Sequence, residues 1–341
     1  MATRPALTII DIARLAGVSK STVSRVLSGS QSVSPEARDR VNDVVRTSGY
    51  RRNDLARSLR RGRTGMVGLL IPDIANSFWA EVARGAQDAA TEEGASVLIF
   101  NSDWDPAQER RHLRALTQTR VDGAIVNPVR DGLGEIETVA MPVVLIGSSA
   151  ARYPHLSSVG SDIEQGVGLA LDRLTAARPG PPLLLVGDAE RTARERFLAA
   201  VRRHGARLGW EDAEPRVVDG HYTVEGGRAA MEAALKVDIP PTVFAANDLM
   251  ALGALQAVRS AGLRCPEDVS ILGFDGILAA EVAVPQLTTV EKPAREIGRR
   301  AFALLLGRID GATETVRDTL PCRLRERGSA LAPAIASART G

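Results

Sequence analysis

Seven short apolar runs, at 67–71, 97–100, 124–126, 143–146, 183–186, 242–245 and 270–274, alternate with amphipathic stretches at 79–93, 108–118, 163–174, 194–204, 224–235 and 249–261. Runs of this length without a polar face are strands of parallel sheets whose faces are covered by helices. They are more numerous than one compact sheet needs. The expected solution is two Rossmann-like lobes, with a ligand cleft where the carboxyl ends of the two sets of strands face each other.

Upstream of this texture, residues 8–28 read as two short helices joined by a tight turn. Ile9, Ile10, Ala13 and Leu15 fall near one side of the first, and the small Ala13 lets a second helix cross close by. Gly17 suits the turn, Val18 fills the corner and Ser19 can cap the next helix, whose apolar stripe is Val23, Val26 and Leu27. Its other face carries Lys20, Ser21, Thr22, Ser24 and Arg25, donors suited to phosphates and base edges. A third helix is signalled by Ser34 as N-cap, Pro35 at the first helical position, Glu36 in the first turn and Gly49 after the end. An ordinary helical hairpin with a solvated polar face would show much of the same pattern.

Charge separates the two readings. Through Arg63 the chain has thirteen Lys and Arg against five Asp and Glu, a net +8, so the remainder carries −6 to reach the total of +2. A basic head on an acidic body is what a protein neutralising phosphates at one end would have. The 341 residues are 44% hydrophobic and 25% charged, enough for a head plus a large core. No apolar run is long enough to span a bilayer and the N-terminus lacks a signal-peptide core, so a cytoplasmic protein is expected. Cys265 and Cys322 have no metal-ligand or disulfide-framework spacing, and neither a metal nor a cofactor is expected. The Ala- and Ser-rich end, 329–341, is expected to be frayed.

Several segments together resemble the LacI/GalR family of bacterial transcriptional regulators over essentially the whole length. They are Asp11-Ile-Ala-Arg-Leu-Ala-Gly-Val-Ser19 with Thr22-Val-Ser-Arg-Val26, Leu55-Ala-Arg-Ser-Leu59, Ile71-Pro-Asp-Ile-Ala-Asn-Ser-Phe-Trp79, Arg120-Val-Asp-Gly-Ala-Ile125, Ala246-Asn-Asp-Leu-Met-Ala-Leu-Gly-Ala254 and Asp268-Val-Ser-Ile-Leu-Gly-Phe-Asp275. The resemblance implies an all-α helix-turn-helix headpiece (1–52), a hinge helix and linker (53–63), and an α/β core of two Rossmann-like lobes like the periplasmic binding proteins (64–328). The first lobe would take about 64–161 plus a segment after about 290. The second would take about 162–289 plus the C-terminal strand region. It further implies a homodimer that represses by binding pseudo-palindromic double-stranded operator DNA at the bacterial nucleoid, controlled by a small effector between the lobes.

Residue by residue, the resemblance places Lys20, Ser21 and Arg25 toward base edges and Thr22 and Ser24 toward phosphates. Leu59 matches the hinge leucine that wedges into the minor groove, with Ala56 one turn earlier allowing two hinges to approach. In the cleft it implies an effector contact from the Phe78–Trp79 pair, with Asp73 and Asn76 on the same loop. Asn247 and Asp275 stand at strand ends in the second lobe, Asp248 serving as a helix cap, with weaker claims for Tyr222 and Arg194. The chain departs from the family around Arg191–Phe197, where the glycine of an Arg-x-x-Gly-aromatic pattern is missing, and at Gly147-Ser148-Ser149, where relatives carry an aspartate. A polar cleft favours a sugar or sugar derivative, with a nucleobase second. A cytoplasmic α/β enzyme, or a solute-binding protein for a sugar or nucleoside, is the rival class on fold alone. Against an enzyme, the chain has no Gly-x-Gly-x-x-Gly after a strand, no phosphate-binding loop, no Gly-x-Ser-x-Gly, and four scattered histidines.

Overall fold

The computed structural model describes residues 7–27, 30, 32–50, 63–129, 136, 139–147, 152–188, 192–210 and 214–332. The chain divides into two compact units, one up to Thr64 and one from Gly65.

The first unit is built on helices α1 (Ile9–Leu15), α2 (Lys20–Leu27) and α3 (Pro35–Ser48). Thr8 and Asp11 form a reciprocal capping box at the start of α1. Gly17 takes φ +62° in the turn, and Ser19 Oγ accepts the Thr22 amide at 3.0 Å to cap α2. Ser34 caps α3, and Gly49 ends it with left-handed φ. The core is Ile12, Ala13, Ala16, Val23, Val26 and Val41, with Ile9, Val18, Leu27 and Tyr50 against it. One expectation is corrected: Ile10 and Leu15 are 62% and 57% exposed. The buried stripe of α1 runs Ile9, Ile12, Ala13, Ala16, the spacing of a 3.6-residue period, and Ile10 and Leu15 fall outside it.

The second unit has two six-stranded sheets. The first contains β1 (Met66–Ile71), β2 (Ser96–Asn101), β3 (Gly123–Val126), β4 (Val143–Ile146), β5 (Ser157–Ser161) and β11 (Arg317–Leu320), in the order β11-β5-β4-β3-β1-β2. The second contains β6 (Leu183–Val186), β7 (Val217–Asp219), β8 (Thr242–Ala245), β9 (Ser270–Asp275), β10 (Thr288–Glu291) and β12 (Arg323–Arg325), in the order β12-β10-β9-β8-β6-β7. Every pairing is parallel except β10 with β12. The two lobes of the expected fold class are therefore present. The seven apolar runs are β1, β2, β3, β4, β6, β8 and β9. The edge strands β7, β11 and β12, and the inner strands β5 and β10 from which the chain crosses to the other lobe, are shorter or more polar, and periodicity did not mark them.

The helices are α4 (Ser77–Glu92), α5 (Pro106–Gln118), α6 (Ile163–Ala177), α7 (Thr192–Arg207), α8 (Val224–Leu235), α9 (Asp248–Ser260), α10 (Leu278–Val282) and α11 (Ala294–Ile309). The chain changes lobe three times: after β5, after β10, and through Pro321-Cys322 between β11 and β12. Residues at or just past strand ends of both sheets, Asn127 and Gly147 in one and Ala246 and Asp275 in the other, line one cavity, so the carboxyl ends of the two sheets face one another. Because only two residues separate β11 from β12, those edges adjoin. Strands β2 and β7 consequently mark the opposite, open edge of the cleft.

The chain end is a second correction. Ser329 is fully buried; its hydroxyl donates to Ile271 O at 2.6 Å and accepts the Thr288 amide at 2.8 Å, while its carbonyl accepts the Ile271 amide at 2.7 Å. Small residues here fit beside β9 and satisfy its open hydrogen-bonding groups, so residues 329–331 belong to the second lobe. Residues 333–341 lie outside the described ones.

Glycines set the helix pairing in both lobes. A Cβ on Gly85 of α4 would lie 1.9 Å from Arg295 O, and one on Gly298 of α11 would lie 2.0 Å from Val82 O. The pair α8 and α9 is built alike, with Gly253 2.0 Å from Val224 O and Gly227 2.3 Å from Met250 O. Gly85→Ala and Gly298→Ala should each destabilise the protein by about 1–3 kcal/mol in urea unfolding. Gly307→Ala, also on α11 but where a Cβ would meet only Ala312 Cβ at 4.0 Å, should be neutral or stabilise by up to about 1 kcal/mol. Equal effects at Gly298 and Gly307 would show that helix propensity, not close approach, governs this helix.

Candidate functional site

Two surfaces carry the chemistry that the sequence points to. On α2, Val23 and Val26 are buried, while Lys20, Ser21 and Arg25 are exposed and Thr22 and Ser24 half-buried. Ser19 Oγ lies 2.7 Å from Ser21 Oγ and 2.8 Å from Thr22 Oγ1, so the first turn presents a cluster of hydroxyls beside a lysine. Arg40 Nε donates to Ala16 O at 3.3 Å, tying α3 to the turn, and Arg38 donates to Ser30 O at 2.7 Å, tying it to the chain after α2. Ala56 and Leu59 lie outside the described residues.

The second surface is the cleft between the lobes. Asn76, Phe78, Trp79 and Trp104 line it from one lobe, and Tyr222, Asn247, Phe274 and Asp275 from the other, with Lys292 at a crossover. Six of the chain's twelve aromatic residues line it, in a chain only 4% aromatic. Asn76 caps α4 by accepting the Phe78 amide at 3.0 Å, and its Nδ2 donates across the cleft to Asp275 at 3.4 Å. Asp275, 5% exposed at the end of β9, pairs with Lys292 Nζ at 2.6 Å. The same ammonium sits 3.8 Å from the centroid of the Phe78 ring. Burial raises the Asp275 pKa, and Lys292 then pulls it back down without cancelling the rise.

Three expectations are corrected. Asp73 does not line the cleft: its carboxylate accepts the Ala75 amide at 2.9 Å and shapes its own loop. Arg194 turns away, donating to Gly187 O at 2.8 Å and pairing with Asp219, so that it ties α7 to the ends of β6 and β7. Its neighbours Ala193, Arg196 and Phe197 line the cleft instead. The cap at 247–248 is reassigned: Asn247, which lines the cleft, also caps α9 through the Met250 amide at 2.9 Å while its Nδ2 holds Tyr222 O at 3.0 Å. Asp248 is buried, accepting the Gly276 and Ile277 amides at 2.8 Å each and the Thr289 hydroxyl. Sequence reading missed Trp104, Asn127, Arg196, Phe197 and Lys292. Trp104 and Asn127 follow strand carboxyl ends, the rule that marked Asp73 and Asp275, and the same rule applied to 97–100 and 124–126 would have found them. Lys292 follows an unmarked strand.

Among the described residues no helix is long and apolar enough to cross a membrane, and no cluster of three or more His, Cys, Asp or Glu could hold a metal. A helix-turn-helix unit together with a two-lobed α/β unit enclosing a polar and aromatic cleft defines a DNA-binding regulator with a ligand-binding domain. Comparison with known proteins agrees. Residues 8–53 match the bacterial regulatory proteins of the lacI family, and residues 182–330 the periplasmic binding protein-like domain. The chain is 32% identical over 297 residues to the HTH-type transcriptional regulator DegA of Bacillus subtilis (strain 168), covering 85% of this chain and 88% of that one. The structure of the Lac repressor dimer bound to operator and the anti-inducer ONPF aligns over 96% of this chain and all of its own, with TM-score 0.85 and 26% identity. A complex of the transcriptional regulator CelR with cellobiose aligns over 96% of this chain and all of its own, with TM-score 0.71 and 30% identity. The chain belongs to the LacI family, and its relatives are transcriptional regulators rather than enzymes.

The carboxyl of Asp248 is pushed up to about 7, first by burial and next by the nearby charge of Asp275. Hydrogen bonds from Thr289, Ile277 and Gly276 oppose the rise without overcoming it. In the unfolded chain this group titrates near its ordinary value, so between about pH 4 and 7 the native state binds the extra proton and stability falls as pH rises. Asp248→Asn, which keeps an acceptor oxygen and cannot ionise, should flatten the decline in unfolding free energy between about pH 4 and 7. A decline identical to that of the wild type would assign it to other groups.

Proposed function

We propose that this chain is a dimeric repressor whose residues 1–52 read a pseudo-palindromic operator through α2, and whose core from residue 64 binds a sugar or sugar derivative in the cleft. The observation that carries the reading is the division of α2. Its apolar side closes the headpiece core, and its opposite face offers Lys20 and Ser21 from the first turn and Arg25 from the last to solvent, the face that a recognition helix lays in a major groove. The bidentate fork of Arg25 suits guanine; Thr22 and Ser24 suit phosphates. Residues 53–63 serve as the hinge, with Leu59 as a minor-groove wedge and Ala56 at the contact between two hinges. Such a protein works on the nucleoid in the bacterial cytoplasm.

Aromatic faces for a ligand's C–H surface, with Asn76, Asn247, Asp275 and Lys292 for its hydroxyls, support a sugar. The CelR relative's complex with cellobiose points the same way. A second copy has an apolar surface to cover: Leu278, Val282 and Val284 are 69%, 74% and 77% exposed on one short segment. The Lac repressor relative is a dimer.

DNA selected by the wild type from a random pool supplies the operator for the test. Arg25→Ala should lose about 1–3 kcal/mol of binding and relax preference at one base position per half-site. A uniform loss over all sequences would make Arg25 a phosphate contact. In a thermal-shift panel of mono- and disaccharides including ribose and cellobiose, at least one should raise the melting temperature, because a ligand of the folded state must stabilise it. A response to nucleosides alone would move the effector to the nucleobase class.

A further inference from the structure

The crossovers join the lobes at one edge of the cleft, and β2 and β7 stand at the other. Each of these two edge strands is followed by a turn in which two consecutive non-glycine residues hold positive φ. They are Asp103 (48°) and Trp104 (57°) after β2, and His221 (54°) and Tyr222 (60°) after β7. Residues with a Cβ adopt this conformation rarely, and it persists where the surroundings over-determine it. In the first turn the Trp104 amide donates to Pro72 O at 3.2 Å, and Gln108 donates to the Asp103 carboxylate at 3.4 Å. In the second, Asn247 holds Tyr222 O at 3.0 Å and the His221 ring bonds the Asp188 carboxylate.

Each turn delivers one aromatic ring, and the two rings meet. Trp104 from one lobe and Tyr222 from the other stack with centroids 5.3 Å apart and planes 15° from parallel. Tyr222 lies flat on a glycine: a Cβ on Gly187 would come 1.7 Å from its ring. Both rings line the cleft. Their separation leaves no space for a third layer, since two contacts of about 3.5 Å would need roughly 7 Å. In this structure the two rings touch each other directly.

We propose that Trp104 and Tyr222 form a gate at the open edge of the cleft, which a ligand must unstack to enter and which closes behind it. Trp104 thereby becomes a specificity determinant of the site. A gate that closes ring on ring favours a compact polyhydroxylated ligand held wholly behind it, whereas a longer chain passing through the mouth would hold the rings apart. The inference rests on the cleft being the ligand site, as proposed above.

The test uses the full chain with Cys265 and Cys322 replaced by Ala, and with Ala246, which lines the cleft, replaced by Cys. The rate at which dithionitrobenzoate labels this thiol reports how often the mouth opens. Trp104→Ala and Tyr222→Ala should each accelerate labelling about tenfold, the double variant no further, because both remove one contact. Gly187→Ala, which leaves both rings but displaces Tyr222, should also accelerate it, and Trp104→Phe should stay within about twofold of the parent. Should the alanine variants not fold, Trp104→Leu against Trp104→Phe makes the same comparison of bulk with and without a ring. Unchanged rates in folded Trp104→Ala or Trp104→Leu protein would overturn the gate. The reagent is not a sugar, so this failure is separate from a failure of the sugar panel.

Discussion

A carboxylate withdrawn from water needs a cation, and the place where Asp275 finds one determines how the two lobes meet. Asp275 ends β9, and in the parallel register its neighbour on β10 is Glu291, so Lys292 is the next residue out. The Lys292 amide donates to Asp275 O at 3.0 Å, and its ammonium returns to the carboxylate at 2.6 Å. Two residues later the chain has entered α11 of the other lobe. From that lobe Phe78 places its ring face under the same ammonium at 3.8 Å. One cation thus joins a strand end of the second lobe to the first helix of the first. Separating such a buried pair by removing one partner typically costs about 3–5 kcal/mol, far more than an exposed pair such as Arg228–Glu232 contributes.

A second buried acid sits beside the first and ties down the backbone just past β9. Asp248 bonds the two amides that follow Asp275, and the backbone turn there includes the unusual φ of +133° at Asp275 itself. Space for the Asp248 carboxylate comes from Gly273, where a Cβ would lie 2.2 Å from Oδ1. The strained residue at the end of β9 is therefore held by a carboxylate from α9 behind it and by Lys292 in front.

This arrangement also shows where sequence reading stops. Alternating apolar runs and helical stretches disclosed the two-lobed core, because burial on both faces leaves an uninterrupted apolar signature at β1, β3, β4, β6, β8 and β9. The edge strands β7, β11 and β12 have an exposed side and only three or four residues, too little for a period to register. The rule that strand ends carry the chemistry brought Asn76, Trp79, Asn247 and Asp275 to the cleft lining. It gave the cap of α9 to Asp248 when Asn247 holds it, a difference that lies in which way the helix start turns each side chain. Nor could it see that Arg194 turns toward Asp219, or that Ser329 would find a partner in β9, since both depend on groups far away in sequence.

The side chains span the cleft unevenly, and the unevenness has consequences for any ligand. At the crossover edge Lys292 makes short contacts to both lobes, and at the open edge Trp104 and Tyr222 are in van der Waals contact. Between them Asn76 Nδ2 reaches Asp275 Oδ2 at only 3.4 Å, close to the outer limit of a useful hydrogen bond. A ligand shifts the balance between open and closed lobes only through contacts that differ between them. The ion pair belongs largely to one strand end and its neighbour, so it changes little on opening. The aromatic stack is lost on opening with or without a ligand. On the sugar-binding reading proposed above, a hydroxyl inserted at the long Asn76–Asp275 contact would donate to the carboxylate and accept from the amide, adding bonds that exist only when the lobes are closed.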